Sequence, residues 1–136
     1  MGVFRRRPRP IFPPDMIRWL DRFGRYSLDP VHADSDQLKQ EEMLPYCYDH
    51  ATADPDRFLT ELQAVVAHDE GGFATYGAAR LVFEMFGGRM LKMPAALPLV
   101  DAGIDFQLAR GETPAMLSGY ELERFGQIRH RYRPRD

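Results

Sequence analysis

The sequence predicts an all-α fold, a compact single-domain bundle of about five or six helices around one buried helix at residues 73–87, with flexible Arg-rich ends. Within residues 73–87 only Thr75, Arg80 and Glu84 are polar or charged. A helix that is apolar over most of its circumference must be surrounded by other elements. Helix-start and helix-stop residues recur along the rest of the chain, and no segment alternates apolar and polar residues as a strand does. Arg80 and Glu84 are four residues apart, so they share one face of the helix and can pair across a turn.

The first helix is predicted from Pro13-Pro14-Asp15. Proline suits the first helical position, and an acid in the first turn suits the helix dipole. Gly24 is expected to end this helix. Its apolar stripe consists of Met16, Trp19, Leu20 and Phe23.

A second helix is predicted to start around Ser35, because Asp34 followed by Gln37 forms a capping-box pattern. Pro45 is expected to kink or end it, since proline lacks the backbone N–H that a helix interior needs. A short turn through residues 46–48 should follow.

The third helix is predicted from Asp54-Pro55-Asp56, in which an acid cap is followed by proline at the first helical position. Gly71 and Gly72 permit a tight reversal into the central helix. These two helices, residues 54–87, should therefore form an antiparallel hairpin. The third helix is expected to bury Phe58, Leu59, Leu62, Val65 and Val66.

The second half of the chain is predicted to contain a connector and two more helices. Residues 87–94 read as a connector with buried methionines, and Pro98 opens the next helix, with Leu108 among its inward side chains. Ser118 and Glu121 form another capping box, which starts a last helix through residue 128.

The charge of the chain is unevenly distributed. Residues 1–10 form an Arg/Pro arm that we expect to be disordered, residues 11–128 form the helical domain, and residues 129–136 form a basic tail. The overall net charge is −2, yet residues 11–123 hold nine Lys or Arg against nineteen Asp or Glu, a net charge of −10. An acidic body with basic ends favours charged macromolecular partners.

The sequence predicts a cytoplasmic protein without a membrane anchor. Its one cysteine, Cys47, excludes a disulfide within the chain and suits a reducing compartment. We expect this thiol to be buried and inert. No apolar stretch follows the basic run at residues 5–9, so no signal peptide is expected, and Arg6 stands where a myristoylation signal needs Ser or Thr.

The acidic body predicts a non-catalytic protein that binds a basic protein partner, because complementary charge speeds and orients association. An immunity-like or antitoxin-like inhibitor is one concrete form of such a protein. Self-association through Trp19 or the methionine connector is left open. The predicted partner-binding residues are the acids of the loops at 32–36, 49–56 and 68–70 and of the second helix: Asp34, Asp36, Glu41, Glu42, Asp49, Asp69 and Glu70.

Nucleic-acid binding through the Arg-rich termini is the first alternative. In the last residues arginines alternate with aromatic side chains, a pattern suited to phosphate contact and base stacking. Glu121 and Glu123 oppose it, because they would repel phosphate from the last helix. The residues predicted for this alternative are Arg5, Arg6, Arg7, Arg129, Arg131 and Arg133.

A metal-dependent or Cys/His enzyme is the second alternative. His32, Asp34 and Asp36 are weak candidate ligands for a divalent metal, but their spacing matches no recognised site. Cys47 and His50 have the right chemistry for nucleophilic catalysis if they reach each other. There is also no phosphate-binding loop. No cofactor is expected, and catalysis is disfavoured.

Overall fold

The computed structural model describes residues 10–28 and 36–112 and Glu123, with side chains described for residues 10–27 and 43–112 and for Glu123. These residues form five α-helices and one 3-10 helix, and no strand occurs among them. The all-α prediction is confirmed. The predicted last helix at 118–128, except Glu123, and the terminal arms at 1–9 and 129–136 lie outside the described residues. The helices are α1 (Met16–Leu28), α2 (Asp36–Ala53), α3 (Pro55–Val66), α4 (Phe73–Phe86) and α5 (Leu97–Ala109), with the 3-10 helix at Gly87–Lys92.

Helix α4 is the central buried element, as predicted. Nine of its fourteen residues are buried, and each large side chain among them stabilises the fold by roughly 1.5–3 kcal/mol. Helices α1 and α5 are its principal neighbours. On the α5 side, Phe106 stacks on Tyr76 with ring centroids 4.9 Å apart and meets Phe73 edge-on at 5.3 Å.

Helices α1 and α4 pack backbone to backbone at two glycines. A Cβ added at Gly24 would lie 3.0 Å from the backbone nitrogen of Gly77, and a Cβ at Gly77 would overlap the carbonyl oxygen of Leu20. Gly24 therefore lies inside α1, and the prediction that it ends this helix is wrong. Helix α1 continues to Leu28 because the glycine serves close packing against α4 instead of a C-terminal turn.

Helices α3 and α4 contact each other, but their pairing is not the dominant one. Phe58, near the start of α3, meets Phe86, at the end of α4, edge-on at 6.2 Å, as an antiparallel pair requires. Asp54 caps α3 as predicted, its side chain accepting a hydrogen bond from the Arg57 backbone N–H at 3.2 Å. The larger interface of α4 is with α1.

The segment before α1 belongs to the core. Ile11 and Phe12 are both buried. The Ile11 backbone N–H donates to the Glu61 carboxylate at 2.8 Å, the Tyr46 hydroxyl donates to the Ile11 carbonyl, and Phe12 meets Phe58 edge-on at 5.3 Å. This segment, which precedes α1 in the chain, therefore packs against both α2 and α3.

Helix α2 continues through Pro45 to Ala53, so the proline does not end it. Pro45 is exposed, so its ring meets solvent and not the core, and its missing N–H removes one hydrogen bond of the helix without ending it. The acidic loop predicted at 49–56 is consequently the end of one helix and the start of the next.

In α4 the pairing open to Arg80 and Glu84 is not the arrangement found, and in α5 one side-chain expectation is wrong. Instead of pairing with Glu84, the Arg80 guanidinium lies 5.4 Å from the Phe83 ring centroid, an arrangement that a cation–π attraction favours. Leu108 was expected in the core, but it is 54% exposed, while Gln107 beside it is buried. The predicted connector is the 3-10 helix, and its Met90 is fully buried as expected.

Within the described ranges, none of the helices combines the length and apolarity that crossing a bilayer would need.

Candidate functional site

Of the seven predicted partner-binding acids, the structure describes the side chains of three, Asp49, Asp69 and Glu70. Asp49 at the end of α2 and Glu70 after α3 are both exposed. Helix α3 lies between them in the chain, and its twelve residues span about 18 Å. The backbone of Asp36, Glu41 and Glu42 is part of α2, but the structure does not describe their side chains. No part of Asp34 is described.

Asp69 has a structural role at the start of α4. Its Oδ2 accepts hydrogen bonds from the Thr75 backbone N–H at 2.7 Å and from the Thr75 hydroxyl at 2.9 Å. Gly72, the residue before the helix, has no side chain to make such a bond. The chain folds back to allow this contact because Glu70 and Gly71 both adopt positive φ, +54° and +73°. The Asp69 carboxylate is therefore half-buried and already bonded.

We expect Asp69→Ala to lower the free energy of unfolding by about 1–2 kcal/mol, the usual cost of removing a helix cap. Urea denaturation measures this change. Glu70→Ala is the matched control, because the neighbouring carboxylate is exposed, and its removal should change stability by less than about 0.5 kcal/mol. Equal effects of the two substitutions would contradict the capping role.

Tyr48 is an exposed aromatic residue that directly precedes a predicted acid, Asp49. It lies on α2, 42% exposed, and its hydroxyl is 3.2 Å from the backbone carbonyl of Glu84 and 3.4 Å from the Glu84 carboxylate. Burial and the nearby Glu84 charge raise the pKa of Tyr48, so its hydroxyl stays protonated and can donate. Asp49 and Glu84 are both exposed. We call Tyr48, Asp49 and Glu84 the Tyr48 surface.

The candidate Cys/His pair lacks the properties of a nucleophilic site. Cys47 is fully buried, as expected, and burial raises the pKa of its thiol to about 12. Because the thiolate is the reactive form, this cysteine is unreactive near neutral pH. The His50 ring packs on Tyr46 with centroids 4.6 Å apart, and no described hydrogen bond joins it to Cys47.

The other predicted sites fall largely outside the described residues. His32 and Asp34 are not described, and for Asp36 only the backbone is. Among the residues that are described, no three His, Cys, Asp or Glu side chains converge as metal ligands would. The arginines predicted for nucleic acid also lie outside: Arg5, Arg6, Arg7, Arg129, Arg131 and Arg133.

An open apolar groove of about 700 Å³ lies where the segment before α1 meets α1 and α2. Its borders include Phe12, Trp19 and Tyr46, with Asp15 and Arg22 as the charged members. This groove was not predicted from the sequence. Its residues come from three separate segments, so no local pattern joins them, and the Pro-rich stretch at 10–14 was the one signal available.

Trp19 contributes a buried polar group at this groove. The residue is 4% exposed, and its ring stacks on Phe23 with centroids 4.9 Å apart. Its indole Nε1 has no hydrogen-bond partner within the described part of the chain. The prediction that Trp19 belongs to the core is therefore confirmed. A buried donor without an acceptor costs about 1–3 kcal/mol, and the Trp19 N–H is such a donor within the described residues.

The comparisons with known proteins give no relative, since no family model, no curated protein and no solved structure matches this chain.

Proposed function

We propose that this is a small, non-catalytic cytoplasmic protein that binds a basic region of another protein through the Tyr48 surface. An inhibitor that covers a cationic enzyme face is one form of such a protein. The proposal rests on one observation: an exposed tyrosine, Tyr48, is held against α4 by Glu84 and is followed directly by an exposed carboxylate, Asp49.

The chemistry of these three residues suits a Lys-rich or Arg-rich partner. Tyrosine is enriched in protein interfaces because it supplies a large contact area with few rotatable bonds. A guanidinium or ammonium of the partner can stack on the Tyr48 ring while Glu84, whose carboxylate lies 3.4 Å from the Tyr48 hydroxyl, neutralises its charge, and Asp49 at the next position of α2 adds negative charge to the neighbouring face. The contact with Glu84 restrains the ring before binding, which lowers the entropy cost of association.

The charge of the whole body supports the same partner class. A net charge of −10 over residues 11–123 attracts a cationic protein over a distance and raises the association rate. The one cysteine, buried and protonated, is compatible with the cytoplasmic location that we propose.

The test is an affinity capture from source lysate, with and without nuclease, followed by mass spectrometry of the bound proteins. We expect one stoichiometric protein that survives nuclease. Tyr48→Ala should weaken its binding roughly tenfold, as loss of a central interface aromatic does. Asp49→Lys should weaken it by a similar factor at low salt, and mainly by slowing association.

Glu70→Lys is the matched control, because it makes the same charge change at an exposed residue beyond the other end of α3. If Glu70→Lys and Asp49→Lys weaken binding equally, overall charge and not the Tyr48 surface determines recognition. Capture that nuclease abolishes would favour the Arg-rich termini and nucleic acid instead.

A further inference from the structure

We propose that the groove beside Trp19 is a binding site for a small amphipathic carboxylate, a molecule with an apolar body and one carboxylate group. This site is separate from the Tyr48 surface and does not depend on the function proposed for it. The volume of about 700 Å³ lies within the range of about 300–1,000 Å³ that is typical for small-ligand sites.

The walls of the groove determine the apolar part of the ligand. Tyr46 supplies the exposed aromatic surface, Phe12 and Trp19 border the groove as buried rings, and prolines 10, 13 and 14 supply rigid aliphatic surface. The position of the walls is fixed, because the Tyr46 hydroxyl donates to the Ile11 carbonyl and Phe12 packs on Phe58. A preformed apolar site of this kind binds alkyl or aryl groups with little reorganisation.

Arg22 determines the charged part of the ligand. It borders the groove and is half-buried, and no carboxylate pairs with it among the described residues. On the same helix Arg25 does have such a partner, Asp21, at 2.6 Å. A guanidinium presents a planar fork of N–H groups that matches one carboxylate, which makes a carboxylate the favoured anion at a single arginine.

Two further groups orient the ligand. Asp15 also borders the groove and would repel a carboxylate, but it lies seven residues before Arg22, about 10 Å along the helix axis. The ligand carboxylate therefore lies at the Arg22 end and the apolar body extends toward Pro13 and Pro14. Trp19 also borders the groove, and its buried indole N–H, which has no acceptor within the described residues, would be the second donor to the ligand.

Trp19 also makes the test direct, because it is the only tryptophan in the sequence. Its fluorescence should change when decanoate is titrated into the full-length protein and should change much less with decanol, which has the same chain length but no charge. We expect Arg22→Gln to weaken decanoate binding about tenfold or more. Arg18→Gln is the matched control, since Arg18 is an exposed arginine one turn earlier that does not border the groove.

Three results would overturn the assignment. They are no fluorescence change with decanoate, equal binding of decanoate and decanol, and equal affinity of Arg22→Gln and the unaltered protein. Thermal denaturation of each variant checks that the fold is retained. If the Trp19 signal instead changes with protein concentration alone, and sedimentation shows a dimer, the groove is occupied by a second copy of the chain and the carboxylate site is wrong.

Discussion

Gly77→Ala is expected to lower the free energy of unfolding by about 3 kcal/mol, the upper end of the usual cost of overpacking. In an ordinary exposed helix this substitution gains about 1 kcal/mol, because alanine is the better helix former. Here the added methyl group would overlap the Leu20 carbonyl oxygen and lie 3.1 Å from the Gly24 backbone nitrogen. Both atoms belong to the backbone of α1, so the helix as a whole would have to move.

Urea denaturation of the two single variants, Gly77→Ala and Gly71→Ala, isolates the effect of packing when their losses of stability are compared. Gly71 has a positive φ of +73° but nothing within 4 Å of the position of an added Cβ. Its replacement should therefore cost about 1 kcal/mol from backbone strain alone. A Gly77→Ala variant as stable as the unaltered protein would show that α1 and α4 do not meet at these glycines.

Phe58→Ala is expected to destabilise the protein by about 3–5 kcal/mol, the usual cost of removing a buried phenylalanine ring. Phe58 has no exposed surface and meets both Phe12 and Phe86 edge-on. The cavity would therefore separate the segment before α1 from α3 and α4. For a domain with ordinary stability this is a large share of the total.

Leu108→Ala is the comparison variant for Phe58→Ala, because the sequence pattern and the structure predict different losses of stability at Leu108. Helical spacing placed Leu108 in the core, whereas the structure leaves it 54% exposed, so we expect a change of less than about 0.5 kcal/mol. Denaturation curves for the two alanine variants give the result. A loss at Leu108 comparable to that at Phe58 would contradict the orientation of α5.

Local patterns in the sequence predicted most helices but not which helices pack together. The central helix was predicted at 73–87 and observed at Phe73–Phe86, and the Asp54 cap was found as expected. These features depend on neighbouring residues. The close packing of α1 on α4 depends on Gly24 and Gly77, and a glycine that permits close approach looks the same in a sequence as one that ends a helix.

The candidate sites were harder to predict for the same reason. Asp69 and Glu70 are adjacent acids that the sequence alone does not distinguish. The turn between α3 and α4 places Asp69 against Thr75 and leaves Glu70 exposed. Tyr48 and Cys47 are also neighbours. Because α2 continues past Pro45, successive residues point in different directions: Cys47 faces the core, and Tyr48 contacts Glu84 at the surface.

The hydrogen bond from Ile11 to Glu61 has a consequence for the order in which the chain folds during synthesis. It joins residues 50 positions apart, so the segment around Ile11, which is synthesised before α3, must wait until α3 has been made. Helix α1 waits longer, since its partner residue Gly77 follows later still. The emerging chain therefore exposes Phe12 and Trp19 to water and to chaperones until most of the domain is complete.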